Sequence, residues 1–168
     1  QDAAAAATGD WLVFIDADSH PSAGLFADVA EQIESGRCLA GGCTIRLAGH
    51  YPLGNLVTRL WNAVSRAGRL LAGSFIFCET AAFRQVGGFS NELFAGEELD
   101  LSRRLKQLAR AGKRRIVILH RHPLVTSARK MHLYTLREHL RFLVKAVFSH
   151  KRILTSRDEC HTWYDGRR

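Results

Sequence analysis

The stretch Trp11-Leu12-Val13-Phe14-Ile15-Asp16-Ala17-Asp18 places an apolar run directly before two carboxylates. A short apolar run bounded by polar turn residues is typical of a buried β-strand. Since ligand sites in open α/β sheets lie at the carboxyl ends of strands, we expect Asp16 and Asp18 at such an end. Carboxylate oxygens are ligands that Mg²⁺ and Mn²⁺ prefer. The alternative is an ordinary turn and helix cap, where Asp and Ser are common.

Apolar runs and helical patterns alternate along the rest of the chain. Further strands are predicted at 38–47, 74–78 and 116–119, and helices at 2–7, 19–36, 53–72, 81–86, 96–112 and 131–150. The helix at 53–72 has apolar residues at helical spacing, among them Leu53, Leu56 and Leu60. This alternation predicts an α/β layered domain over residues 1–130, followed by a basic helix and tail over 131–168.

The charge is distributed unevenly along the sequence. Residues 1–100 carry 6 Lys/Arg against 12 Asp/Glu, a net charge of −6, and residues 101–168 carry 18 against 4, a net charge of +14. An acidic first part suits metal binding, and a basic second part suits phosphates, an anionic membrane surface or nucleic acid. No apolar run is long enough to span a bilayer.

The cysteines indicate where the protein is located, and the beginning of the sequence indicates whether it is a fragment. Cys38, Cys43, Cys78 and Cys160 show no CxxC spacing, and no secretory signal precedes them, so we expect reduced thiols, no zinc site and a cytoplasmic protein. The sequence does not begin with Met and reaches a strand almost at once. We therefore expect a fragment.

A second group of carboxylates lies in Gly96-Glu97-Glu98-Leu99-Asp100, where a helix is predicted to begin. The helix N-terminus favours the charged form of an acid, and an ionised carboxylate can act as a general base. Glu97 and Glu98 lie about equally close to the apolar stripe of Leu101, Leu105 and Leu108, so helical periodicity does not choose between them. Asp100 is predicted to pair with Arg104 at i+4. The alternative is that acids simply favour helix starts.

Basic residues follow the last predicted strand: His120, Arg121, His122, Arg129 and Lys130. Arginine and lysine can hold a diphosphate, and histidine can bind a metal, although a solvated loop explains the same residues. The predicted helix 131–150 has a leucine-rich side and many basic residues. It either docks on its own domain or contacts an anionic membrane peripherally.

Three segments together resemble family 2 glycosyltransferases of the GT-A fold: Trp11–Ile15 with Asp16-Ala17-Asp18, then Phe83-Arg84-Gln85-Val86-Gly87-Gly88-Phe89, then Gly96-Glu97-Glu98-Leu99-Asp100-Leu101-Ser102-Arg103-Arg104-Leu105. The segment Val125-Thr126-Ser127-Ala128-Arg129-Lys130 is similar to the family's late loop. The resemblance covers about residues 5–135. It implies metal-dependent, inverting transfer of a sugar from a nucleotide-sugar donor to a sugar or a lipid-linked acceptor.

The resemblance also implies roles for individual residues. Asp18 would bind the Mg²⁺ or Mn²⁺ ion that bridges the diphosphate, and Asp16 would contact the donor or support the metal. Glu98, where the family usually has Asp, is preferred over Glu97 as the base. The remaining contacts would be to the donor sugar and the diphosphate, from Gly73, Ser74, Arg129 and Lys130.

In the family a nucleotide-binding half precedes the Asp-x-Asp motif, whereas here only fifteen residues precede Asp16. We therefore expect a partial GT-A fold that lacks much of the donor pocket and has little or no activity alone. A cytoplasmic site at the inner face of the membrane is expected.

Two other functions compete with sugar transfer. Val13-Phe14-Ile15-Asp16-Ala17-Asp18-Ser19 also resembles the opening motif of haloacid-dehalogenase-type phosphatases, with Asp16 as nucleophile and Asp18 as general acid. That family needs a later acidic pair after a hydrophobic strand, which Glu97 and Glu98 fit poorly. Nucleic-acid binding by the basic second part is the non-enzymatic alternative. It is disfavoured because aromatic residues are not interleaved with the basic ones.

Overall fold

The computed structural model describes residues 2–49, 51–71, 74–90 and 97–127 of the chain. Helices and strands alternate, as the sequence predicts. In chain order they are α1 (Asp2–Ala6), β1 (Trp11–Ile15), β2 (Ser19–His20), α2 (Ala23–Glu34), β3 (Cys38–Leu47), α3 (Pro52–Gly68), β4 (Phe75–Glu79), α4 (Thr80–Gln85), α5 (Glu97–Ala111) and β5 (Arg115–Thr126). The predicted helix 131–150 lies outside the described residues.

The strands form one mixed sheet in the order β1-β4-β3-β5-β2. β4 is antiparallel to both of its neighbours, and β3 and β5 are parallel. Ile15 at the end of β1 is paired with Phe75 at the start of β4. Because β1, β3 and β5 run in the same direction, the residues that follow β1 lie at the carboxyl end of all three strands.

Each face of the sheet has its own apolar core. On one face, α4 and α5 cover Leu12, Ile76 and Ile116, and α5 contributes Leu101 and Leu105. On the other face, α2 covers side chains from β3, β4 and β5, namely Cys38, Cys43, Phe75, Phe77, Leu119 and Leu124. The helix-covered sheet is therefore the layered arrangement that the sequence predicts.

Gly41 in β3 permits a close approach across the strands. A Cβ atom at this position would overlap the ring of Phe77 and the side chain of Val117. Gly41 remains paired with Phe77 on one side and with Val117 on the other. The glycine thus makes room for an aromatic side chain of the second core without interrupting the strand.

Helix α3 buries small and polar residues, whereas α2 and α5 bury leucines. Its buried residues are Gly54, Thr58 and Ser65. The side-chain amide of Asn62 donates to the carbonyl of Ile45 at 2.9 Å and accepts from its N–H at 3.0 Å. The paired register of β3 with β4 ends at Gly42, so Asn62 supplies the hydrogen bonds that a neighbouring strand would give.

The leucines of α3 point away from the sheet. Leu53, Leu56 and Leu60 are 54%, 63% and 52% exposed. Their helical spacing correctly predicts the helix, but this face is not part of either core. Among the described residues, no helix is long and apolar enough to cross a bilayer.

Cys38, Cys43 and Cys78 are free and buried. Burial raises the pKa of Cys38 to about 11 and the pKa of both Cys43 and Cys78 to about 12. These thiols therefore stay protonated near neutral pH, and a protonated, buried thiol is unreactive.

Candidate functional site

The turn Asp16-Ala17-Asp18 is held in place by backbone hydrogen bonds on both sides. The N–H of Asp16 donates to the carbonyl of Ser74 at 3.2 Å, and the N–H of Ser19 donates to the carbonyl of Asp16 at 3.0 Å. The hydroxyl of Ser19 donates to Thr126 Oγ1 at 3.3 Å. The turn thus connects β1, at one edge of the sheet, with β2, at the other edge, beside the end of β5.

The two carboxylates of this turn can reach solvent. Asp16 is exposed and Asp18 is half-buried, and neither carboxylate forms an ion pair with another described residue. Among the described residues there is no group of three or more His, Cys, Asp and Glu side chains that could hold a metal. The donor set present here, two carboxylates open to water, fits a hard cation such as Mg²⁺, which keeps several water ligands and is often completed by substrate phosphates.

Ser74 is the first described residue after the break that contains Gly73. It is half-buried, and its carbonyl holds the N–H of Asp16. The structure therefore brings together Asp16 and Ser74, two of the residues that the resemblance implies for donor binding. Gly73 lies outside the described residues, as do Arg129 and Lys130.

Helix α5 begins at Glu97, and its second turn is fastened to the chain that leads to Ser74. The N–H of Leu71 donates to Ser102 Oγ at 3.1 Å, and the Ser102 hydroxyl lies 3.4 Å from the carbonyl of Arg69, to which it donates. Ser102 is fully buried. No local pattern marks Ser102 as a positioning residue, because it is a single serine among the leucines and charged residues of α5.

An aromatic cluster joins the end of β1 to the segment after α4. The ring of Phe14 lies 5.2 Å from that of Phe83 and 5.1 Å from that of Phe89, measured between centroids. Gly87 and Gly88 have φ values of 80° and 67°, a left-handed turn that glycine adopts without strain. The Gly-Gly-Phe segment thus folds Phe89 back onto β1, the strand that leads to Asp16 and Asp18.

The first turn of α5 contains three acids with different surroundings. Asp100 is buried and accepts a hydrogen bond from Arg104 Nε at 2.8 Å, which confirms the predicted i+4 pair. Arg104 also donates to the carbonyl of Val86. Glu97 and Glu98 are both half-buried. Asp100 is therefore committed to a structural ion pair, and the choice of a base stays between Glu97 and Glu98.

Arg121 and His122 lie within β5, which extends beyond the predicted strand 116–119. Arg121 contacts the carboxylates of Asp28, at 2.9 Å, and of Glu31, and His122 Nδ1 lies 3.0 Å from Asp28. The hydrogen bond from Arg121 to Glu31, followed by the charge of Asp28, raises the pKa of Arg121. These two basic residues fasten β5 to α2, so they lie on a strand and not in the loop that the sequence predicts. Their pairing with acids of α2 gives no support to diphosphate or metal contacts.

An open groove of about 430 Å³ lies between α3 and the ends of β3 and β5. Its walls are largely polar, and they include Val125. The next residue, Thr126, accepts the hydrogen bond from Ser19 that anchors the turn of the aspartates. The lining residues are Ile45, Arg46, Leu47, Ala48, Gly49, Asn55, Thr58, Arg59, Asn62 and Val125. Polar surface thus continues along this end of the sheet.

No protein-family model and no curated protein matches the chain. Several solved structures are similar in fold, among them the following two. The mannosyltransferase PcManGT from Pyrobaculum calidifontis, in complex with GDP-Man and Mn²⁺, is 16% identical with a TM-score of 0.58, and the match covers 86% of this chain and 42% of that one. TarS 1-349 from S. aureus is 15% identical with a TM-score of 0.53, and the match covers 98% of this chain and 56% of that one.

The chain therefore has the mixed α/β fold of glycosyltransferase structures, and it spans about half the length of the two it matches. The phosphatase alternative gains nothing from the geometry. Glu97 begins a helix, whereas that family needs its later acidic pair after a strand.

Proposed function

We propose that this chain is the metal- and acceptor-binding part of a family 2 glycosyltransferase with the GT-A fold. The main observation behind this proposal is the hydrogen bond from the N–H of Asp16 to the carbonyl of Ser74. It joins the Asp-x-Asp turn to the segment whose residue Leu71 is bonded to Ser102 of α5. The similarity to a mannosyltransferase in complex with GDP-Man and Mn²⁺ supports a nucleotide-sugar donor and a divalent cation.

In this proposal the acids and small residues at the sheet end bind the donor. Asp18 holds a divalent cation, and Asp16 supports that cation or bonds the donor sugar or ribose. The cation, when bound, neutralises the diphosphate as it leaves. Gly73 and Ser74 border the donor sugar. The diphosphate is further contacted by Arg129 and Lys130.

Glu98 acts as the general base in the proposed reaction, with Glu97 as the alternative. The carboxylate takes the proton of the acceptor hydroxyl while that oxygen attacks the anomeric carbon, and the bond from this carbon to the diphosphate breaks. A single displacement of this kind inverts the configuration of the sugar. The proposed acceptor is a sugar or a lipid-linked acceptor.

The activity of the 168-residue chain alone is proposed to be low. The match covers 42% and 56% of the two similar chains, and binding energy from remote parts of a substrate contributes to the rate. A cytoplasmic site at the inner face of the membrane, with peripheral contact through residues 131–150, stays a prediction.

Metal-dependent donor binding tests the proposal directly. Calorimetric titration of the chain with GDP-mannose and with UDP-glucose is expected to give heat of binding for at least one donor with Mn²⁺ and none with EDTA. Asp18→Asn should abolish the metal-dependent part. Asp10→Asn, an exposed acid before β1, is the matched control and should bind as the wild type does. Binding that is indifferent to Mn²⁺ or to Asp18→Asn would contradict the proposal.

Two isosteric variants separate the candidate bases. Glu98→Gln is expected to slow sugar transfer by about 10²-fold or more with unchanged donor affinity, since only proton transfer is removed. Glu97→Gln should remain near the wild-type rate. Because the rate of the chain alone is proposed to be low, single-turnover transfer at high protein concentration is the measurement. The opposite result would assign the base to Glu97. A phospho-aspartate at Asp16 after incubation with acetyl phosphate, detected by mass spectrometry, would instead indicate the phosphatase.

A further inference from the structure

The apolar face of α3 has no role in the proposed reaction. Leu53, Leu56 and Leu60 lie within about 60° of one another around the helix axis and span about 10 Å along it. All three are more than half exposed. The exposed residues Ala63 and Ala67 continue the same face toward the end of the helix.

This face is not required by the fold of the described residues. α3 packs against β3 through the opposite side, where Gly54, Thr58 and Ser65 are buried and Asn62 bonds Ile45. A helix with small and polar residues inward and leucines outward reverses the arrangement of an ordinary surface helix. Contiguous exposed apolar surface of this kind marks an interaction site.

The charges around α3 indicate the chemistry of the partner. No Asp or Glu occurs between Glu34 and Glu79, whereas this stretch contains the arginines Arg37, Arg46, Arg59, Arg66 and Arg69. Arg59 and Arg66 lie on α3 and follow one side of the leucine face. Both are exposed, and neither forms an ion pair with a described residue.

We propose that the leucine face of α3 docks onto an anionic lipid bilayer. Leucines would enter the boundary between headgroups and acyl chains, while Arg59 and Arg66 would contact lipid phosphates. A second copy of this chain fits less well, because both copies would bring acid-free, arginine-bearing helices together, and the whole chain carries a net charge of +8. The proposal is independent of sugar transfer, since bilayer binding needs no donor.

Vesicle co-sedimentation of the 168-residue chain tests this proposal. Wild-type chain is expected to bind vesicles of phosphatidylglycerol mixed with phosphatidylcholine, and to bind phosphatidylcholine alone much less. The affinity of the double variant Leu56→Ser/Leu60→Ser for the mixed vesicles should be at least about ten-fold lower, since burial of apolar side chains is lost. Arg59→Met/Arg66→Met should weaken binding by roughly five-fold per arginine, and only on the anionic vesicles.

The matched control is Val13→Ser/Ile15→Ser, which removes two exposed apolar side chains from β1 instead. It should bind vesicles as the wild type does, and circular dichroism melting should show that every variant is folded. The proposal is overturned if the wild type does not bind, or if the leucine variant binds as strongly as the wild type, because binding then belongs to another surface. A leucine variant that turns a dimer into a monomer on size-exclusion chromatography would assign the face to a second copy.

Discussion

Helices α3 and α5 both carry leucines at helical spacing, yet they use them in opposite ways. Leu101 and Leu105 of α5 are fully buried against the sheet, whereas Leu53, Leu56 and Leu60 of α3 face outward. The two helices differ in the residues that they turn toward the sheet. α3 has small and polar residues and an amide, Asn62, that can satisfy the unpaired part of β3. Apolar periodicity thus predicts a helix, but it does not say what covers the apolar face.

The largest expected effect is at the buried leucines. Leu105→Ala should lower the free energy of unfolding by about 2–5 kcal/mol, because it removes apolar contacts and leaves a cavity in the core. Urea unfolding measures this loss. A change below about 0.5 kcal/mol would contradict this comparison, because the leucines of α5 would then contribute no more to stability than the exposed leucines of α3.

Alkylation of Cys78 gives a second measurement on the same variant. Cys78 belongs to the core that Leu105 fills, and burial raises its pKa to about 12, so iodoacetamide should react only after local opening. Leu105→Ala should speed labelling of the Cys78 peptide, read by mass spectrometry. Leu56→Ala should leave the rate at the wild-type value.

Ser102→Ala is expected to have the next largest effect. It leaves the N–H of Leu71 without its partner in a fully buried position, at a cost of about 1–3 kcal/mol. Because Ser102 positions the helix that carries Glu97 and Glu98, the rate of sugar transfer should fall while the affinity for the donor changes little. Thermal unfolding and single-turnover transfer are the two measurements. Ser102→Thr, which keeps the hydroxyl but adds a methyl group, should restore the positioning only if the core tolerates that methyl group.

Asn62→Ala should be milder, at about 1–2 kcal/mol, although it removes two hydrogen bonds to Ile45. Asn62 is half-buried, so water can replace part of what the amide supplies. Asn55→Ala on the same side of α3 is the control, and urea unfolding should show little change for it. Equal losses at both positions would mean that the amide does not hold α3 on the sheet.

The smallest effect is expected at the exposed leucines. Leu56→Ala should change the free energy of unfolding by less than about 0.5 kcal/mol, because its side chain is already mostly in water. Urea unfolding at matched protein concentrations is the measurement. A loss as large as that of Leu105→Ala would show that the leucine face of α3 is covered when the chain is folded in solution.

The sequence predicted elements well where local pattern and tertiary environment agree. The strand at 38–47 and the first strand, 11–15, coincide with β3 and β1, and the helix at 96–112 corresponds to α5. Helix 53–72 was predicted too long: α3 ends at Gly68, and Arg69 adopts a left-handed conformation with φ of 48°.

Elements that depend on distant partners were missed. β5 continues through His120, Arg121 and His122 because acids of α2, far away in sequence, pair with two of these residues. Ser19 and His20 were predicted to open a helix, but they form β2 against the end of β5, and Ser22 caps α2 instead. Neither partner can be found from local composition.

The candidate site was predicted in part for the same reason. An apolar strand before Asp16 and Asp18 marks a sheet end by itself, and the approach of Ser74 was implied by the family resemblance. The fastening of α5 through Ser102 depends on a contact with Leu71 that no local pattern reveals. The choice between Glu97 and Glu98 depends on where an acceptor hydroxyl would lie, which the spacing of residues does not contain.

The close approach of Phe77 to Gly41 has a consequence for how this protein can evolve. A side chain at position 41 needs the volume that the ring at position 77 occupies. Neither position can therefore change freely on its own, and a lineage that acquires alanine at 41 must first or simultaneously accept a smaller residue at 77. Among distant relatives these two positions should covary. In a laboratory selection for stability, Phe77→Leu should recover part of what Gly41→Ala loses, since the added methyl group still meets Val117.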